Sequence, residues 1–221
     1  MRLFFIHGFG ETPTIFDKIT PHLPSNQVLI NVWDELQPFD AKGNLNVEIF
    51  AKHLADKYQI TPTDTVIGHS MGGWIAVHVK QLTGAVCVQI ASFTNPKRIL
   101  VPSHRMGVIK FLHYSGLYLN GFNRWLFSQL SYKNQPSQPL FESIFTDLMK
   151  AHKDEVFKQT RILFEPVAGP TVQPDLRIHA KADRVVAPPH EPYEVVPGDH
   201  FTLYTMPETV LKAMASVVTR T

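Results

Sequence analysis

The stretch TVIGHSMGGWIAV, residues 65–77, sets a single serine among three glycines. Glycine inside a regular element costs stability, so Gly68, Gly72 and Gly73 must serve geometry. Gly68-His69-Ser70-Met71-Gly72 is a G-x-S-x-G pattern, with an apolar strand before it and an apolar helix after it. There a sharp turn strains the backbone of Ser70 and lifts its hydroxyl over the sheet, and the flanking positions must lack side chains for neighbouring backbone to pass. The same turn sets the Met71 N–H at a helix N-terminus, where it can stabilise a developing oxyanion. A serine alone is a poor nucleophile; it needs a base, and the base an orienting acid. Asp183 lies just past the run LRIHA and His200 just past YEVV, each at the carboxyl end of an expected strand. The chain order Ser70, Asp183, His200 is the order that such a turn calls for. Asp199 adjoins His200, but adjacent side chains at a turn diverge, so it reads as a loop or capping residue; Asp175 precedes its strand and belongs at the opposite end of the sheet.

Phosphate chemistry fails on defining residues. Gly73 is followed by Trp74 where a Walker loop needs lysine, and HGFGETP supplies only two glycines of the dinucleotide fingerprint. There is no H-E-x-x-H and no cysteine pair, so nothing calls for a metal, and no organic cofactor is implied. His69 is expected to pack under the turn, His179 within its strand, and His22, His53 and His152 on helix surfaces. Trp33 reads as a core aromatic closing a strand.

These groups need a scaffold that collects them at one edge. Apolar runs at 2–8, 27–33, 64–70, 85–91, 176–180 and 193–198 are continuous rather than alternating, as in strands buried on both faces. Between them, Val47, Phe50, Ala51, Leu54, Ala55 and Tyr58 form one helical stripe. Further helices are expected from Met71 to Leu82, stopped by Gly84, and after Pro207. The alternation predicts an α/β fold with a mostly parallel sheet and helices on both faces. From 96 to 170 no strand pattern appears, while 105–119, 122–130 and 139–160 read as helices. That segment is too long for a connection, and we read it as a helical cap (96–170) inserted into a core formed by 1–95 and 171–221.

At 221 residues, 44% hydrophobic and 18% charged, with a formal charge of +2, the chain suits one main domain and gives no reason to expect nucleic acid. The one cysteine, Cys87, sits in an apolar run and reads as a core thiol. No run reaches the roughly 18 apolar residues of a membrane span, and a cytoplasmic protein is the expectation.

FFIHGFG, GHSMGG, HAKADRVV and GDHF, in that order, resemble the α/β-hydrolase superfamily over almost the whole chain outside the cap. The resemblance implies a catalytic triad of Ser70, Asp183 and His200, with the Phe9 N–H as second oxyanion donor beside Met71, and His7 shaping the loop. It also implies six strands ordered 2-1-3-4-5-6, the chain starting at once on the strand before the Phe9 loop. The expected activity is cleavage of a small carboxylic ester through an acyl-enzyme. A thioesterase acting on acyl-CoA or acyl carrier protein uses the same machinery, and a non-hydrolytic ligand receptor or a lyase uses the same fold. Between Pro96 and Glu142 there are six cations and no carboxylate. That charge suggests an anionic acyl group or an acidic carrier protein as partner, with Phe111, Tyr114, Tyr118, Phe122, Trp125 and Phe127 lining the acyl pocket.

Overall fold

The structure, a computed structural model, describes residues 1–218, so the last three residues of the expected core lie outside the described residues. In chain order the strands are β1 (Leu3–Ile6), β2 (Gln27–Ile30), β3 (Thr65–His69), β4 (Val86–Ile90), β5 (Leu176–Ala180) and β6 (Glu194–Val196). They form one sheet in the order β2-β1-β3-β4-β5-β6, with every neighbouring pair parallel. Burial explains which runs are uniformly apolar. The interior strands β1 and β3 are buried at every position, whereas the edge strands β2 and β6 each bury only their last residue.

The period of two sorts the side chains between the faces. Phe4, Ile6, Val66 and Cys87 join one apolar cluster, and Leu3, Phe5, Ile67 and Val88 join the other. The helices are α1 (Val32–Glu35), α2 (Val47–Tyr58), α3 (Met71–Thr83), α4 (Met106–Tyr114), α5 (Gly121–Phe127), α6 (Gln138–Lys150), α7 (Lys153–Phe164), α8 (Thr202–Thr205) and α9 (Pro207–Val218). The α2 stripe is buried from Val47 to Ala55, and the Asn46 side chain caps its start by accepting from the Ile49 N–H at 3.0 Å. Gly84 ends α3 in a left-handed conformation. Residues from α2, α3 and α7 cover one face of the sheet and α9 covers the other.

Three expectations shift. Trp33 does not close a strand: β2 stops at Ile30, because Asn31 caps α1 and its side chain accepts from the Trp33 N–H. The helix expected over 105–119 ends at Tyr114, and Gly116 turns the chain with φ 76°. The run 139–160 breaks at Ala151, whose extended backbone separates α6 from α7, while the His152 side chain caps α7. Between β4 and β5 the described residues are helical or irregular, with one bridge joining Ile99 to Val186. Of that segment, α7 is built into the core: Ile162 and Leu163 are buried there, and the Trp74 indole donates to the Ile162 carbonyl at 3.1 Å. Among the described residues no helix is long and apolar enough to cross a membrane.

Candidate active site

β3 delivers its chain directly into α3 through Ser70, whose φ of 52° and ψ of −118° lie where non-glycine residues are strained. The glycines make this turn possible. A Cβ on Gly72 would overlap the carbonyl oxygen of Ile6, and one on Gly68 would overlap the backbone of Gly72. Because those neighbours are backbone, neither can move aside. The turn is buttressed from β4: the Ser92 hydroxyl donates to the Ser70 carbonyl at 2.6 Å, and the Ser70 N–H donates to the Ile90 carbonyl at 3.0 Å.

Asp183 follows β5, and one of its oxygens accepts from the Val185 and Val186 amides at 2.8 and 2.9 Å. That leaves the other oxygen for His200 Nδ1, 2.8 Å away. Burial works to raise the Asp183 carboxyl, but the charge and hydrogen bond of His200 outweigh it and hold it below its usual value. Burial works to lower His200, and Asp183 outweighs it in turn, so the imidazole sits above its usual value. Ser70 and His200 line one cavity but form no hydrogen bond with each other in this structure; such contacts commonly tighten only around substrate. Asp199 faces elsewhere: one oxygen accepts from the Phe201 N–H and the other from the Ser137 hydroxyl at the start of α6.

The loop after β1 supplies the next groups. The Gly8 N–H donates to Glu11 at 2.6 Å and the Gly10 N–H to Gln159 at 2.9 Å. Between them the Phe9 amide has no acceptor among the described residues, and neither does the Met71 amide. Two unpaired donors therefore flank Ser70 at the carboxyl ends of β1 and β3, where the strand order reverses. His7 is fully buried; it accepts from the Val32 N–H through Nε2, so its Nδ1 donates to the Gly8 carbonyl.

Glu11 had no motif to mark it. Its buried carboxylate lies 2.9 Å from His69 Nδ1, while His69 Nε2 donates to the His200 carbonyl at 2.8 Å. His69 thus does more than pack: it spans from the Phe9 loop to the backbone of the candidate base. Burial works to raise Glu11, but His69, His200 and the Gly8 amide together hold it below its usual value. Trp33 fixes this loop from outside by donating to the Glu11 carbonyl at 2.7 Å.

The cavity is about 190 Å³ and mainly apolar. Its walls include Ile99 and Val101 from the segment after β4, Val185 from the loop after β5, and Phe141, Ile144 and Phe145 from α6. Of the six aromatics expected to line it, only Tyr118 and Phe127 do so. Tyr114 instead donates to Asp154, and Phe111, Phe122 and Trp125 are exposed to solvent. Tyr132 lines the cavity too, and its buried hydroxyl has no hydrogen-bond partner among the described residues. His53 is only half at a surface, since Nε2 bonds the buried Glu35 at 2.9 Å. Among the described residues no group of three or more His, Cys, Asp or Glu side chains converges on a point that could hold a metal.

Residues 3–213 match the model of the alpha/beta hydrolase family. No curated protein matches the chain. Among solved structures, a hydrolase from Oleispira antarctica superposes with a TM-score of 0.75 at 14% identity, covering 100% of this chain and 91% of that one. An extracellular alpha/beta-hydrolase from a Paenibacillus species gives 0.64 at 17%, covering 96% and 98%. A thermophilic esterase from Thermogutta terrifontis gives 0.62 at 17%, covering 98% and 92%. At such identities the likeness is one of fold.

Proposed function

Since the chain belongs to the alpha/beta hydrolase family, we propose that it hydrolyses a small carboxylic ester through an acyl-enzyme formed on Ser70. The observation that carries this reading is the 2.8 Å bond between His200 Nδ1 and Asp183 at the cavity that Ser70 also lines. The Ser70 hydroxyl attacks the ester carbonyl carbon while its proton passes to His200 Nε2. The carbonyl oxygen becomes an oxyanion held by the Phe9 and Met71 amides, which have no acceptor among the described residues. When the intermediate collapses, the C–O bond to the alcohol breaks and the proton on His200 goes to the leaving oxygen. Water then attacks the acyl-enzyme, giving its proton to His200, and Ser70 regains a proton as the acid departs. Asp183 keeps the ring in the tautomer with Nδ1 protonated and offsets the imidazolium charge.

The helices between β4 and β5 serve in this reading as the cap that shapes the acyl site. Because α7 packs with α2 and α3, the covering part is 96–150 rather than the whole of 96–170. A cavity of about 190 Å³ with apolar walls suits a short acyl chain. The test is a fluorophosphonate probe followed by nitrophenyl esters and matched thioesters of increasing acyl length. Labelling of Ser70 with turnover confined to short esters supports the reading; an unlabelled Ser70 overturns it, and faster thioester cleavage moves the activity to thioesters.

A further inference from the structure

The exposed apolar side chains are concentrated in one part of the chain. Of the eleven large hydrophobic residues exposed among the described residues, seven lie between 100 and 130, including every exposed aromatic: Phe111 at 64%, Phe122 at 66% and Trp125 at 57%. Five of them, Val108, Phe111, Leu117, Phe122 and Trp125, belong to one local unit, α4, α5 and the linker between them. Val108 and Phe111 stand at i and i+3 on α4, and Phe122 and Trp125 repeat that spacing on α5, their rings 6.1 Å apart. The linker is tied to both helices: the Tyr118 N–H donates to the Leu112 carbonyl, and the Asn123 side chain donates to the Leu117 and Tyr118 carbonyls.

Charge identifies what this hairpin fits. Arg105, just before α4, and Lys110, on it, are exposed, and Lys133 is exposed beyond α5, while no Asp or Glu occurs from 97 to 141. Asp154, which borders α4 from α7, is already engaged by the Tyr114 hydroxyl at 2.8 Å. A two-fold pairing of copies through this surface would oppose like charges. An amphipathic helical surface with projecting Trp and Phe among Lys and Arg matches the headgroup layer of an anionic bilayer, which takes rings at the interface and cations at its phosphates. We propose that the α4–α5 hairpin seats this protein in the plane of an anionic lipid surface. The same segment contributes Tyr118, Leu119 and Phe127 to the cavity, so seating would bring the cavity wall to where acyl chains are.

The experiment uses the full chain with vesicles of phosphatidylcholine, with and without phosphatidylglycerol. The readouts are co-sedimentation and the emission of Trp125, since Trp74 is buried and Trp33 half-buried. The expected result is a blue shift and partitioning roughly ten-fold stronger on the anionic vesicles, weakened by salt. The Phe122→Ser/Trp125→Ser variant, read by sedimentation, and Arg105→Glu/Lys110→Glu, read by both methods, should each lose about ten-fold, with circular dichroism unchanged. The proposal is overturned by no binding, by equal binding to neutral vesicles, or by variants that bind as the parent does. It is equally overturned if ultracentrifugation shows a dimer that these variants dissolve, or if an acidic acyl carrier protein binds the hairpin while vesicles do not. None of these readouts requires turnover, so they stand apart from the ester reading.

Discussion

The sheet and the helical hairpin over it treat similar residues in opposite ways. Phe4, Phe5, Phe16 and Phe50 are fully buried in or beside the sheet, whereas Phe111, Phe122 and Trp125 stand in solvent on α4 and α5. The sheet is held by a backbone ladder in which each strand fixes the next, so its carboxyl edge can hold in place a strained serine, an Asp–His pair and two amides with no acceptor among the described residues. The hairpin is held by a few side-chain and cap contacts and makes walls. In the proposed reading the chemistry falls to the region held by the ladder, and the fit to substrate or surface to the region that is not.

If the sheet's carboxyl edge carries the chemistry, the largest losses should come from changes there. Ser70→Ala should lower kcat by roughly 10⁴ to 10⁶, with His200→Ala similar and the pair little worse than either alone, because the residues act as one unit. Burst and steady-state kinetics on a nitrophenyl ester measure this, and near-parental turnover by Ser70→Ala would end the proposed mechanism. Asp183→Asn should cost about 10⁴ in kcat, and Asp199→Asn far less, because Asp199 bonds Ser137 and the Phe201 amide instead. The pH profile sharpens the same point. Asp183 raises His200 above its ordinary value of 6.5, and a base must be unprotonated to act. The acid limb of kcat/KM should therefore lie above 6.5 in the parent and move down when the raising charge is removed in Asp183→Asn, as far as residual activity allows.

Two glycines give a smaller contrast in stability. Gly72→Ala must force a methyl group into the Ile6 carbonyl and should cost about 3 kcal/mol or more. Gly107→Ala, inside α4 with open space around it, should stabilise by about 0.5–1 kcal/mol. Urea melts decide both, and equal effects would erase the distinction between the regions. The smallest effect is expected at Tyr132→Phe. Its hydroxyl is buried without a partner among the described residues, so removal should leave the melting temperature unchanged or slightly raised; a clear fall would reveal a partner that the hydroxyl holds.

The same division governs what could be read from sequence. The parallel sheet was legible because continuous apolar runs have few other uses, and the turn at Ser70 because three glycines in six residues have almost none. The chain also carries Asp183 and His200 at strand ends, where local context marks them. Glu11, Tyr132 and Ser137 were not legible, since each matters through a partner or a cavity assembled from distant parts of the chain, with no local signature. Phe111, Tyr114, Phe122 and Trp125 misled for the opposite reason: composition marks them as apolar, but only packing decides whether an aromatic faces a cavity or solvent. Trp33 shows how a cap can override a strand pattern, since Asn31 starts a helix where β-prone residues continue.

The bond from Ser137 to Asp199 joins the first residue before α6 to the carboxylate beside His200. Asp199 also holds the Phe201 amide, so unseating α6 releases one of the groups that order the His200 loop. The two movements are linked in free energy, and opening of the helix and loosening of the loop should share one step. In amide hydrogen exchange, Phe201 and the first bonded amides of α6, beginning with Phe141, whose N–H donates to the Ser137 carbonyl, would then report a common opening, and Ser137→Ala would uncouple them.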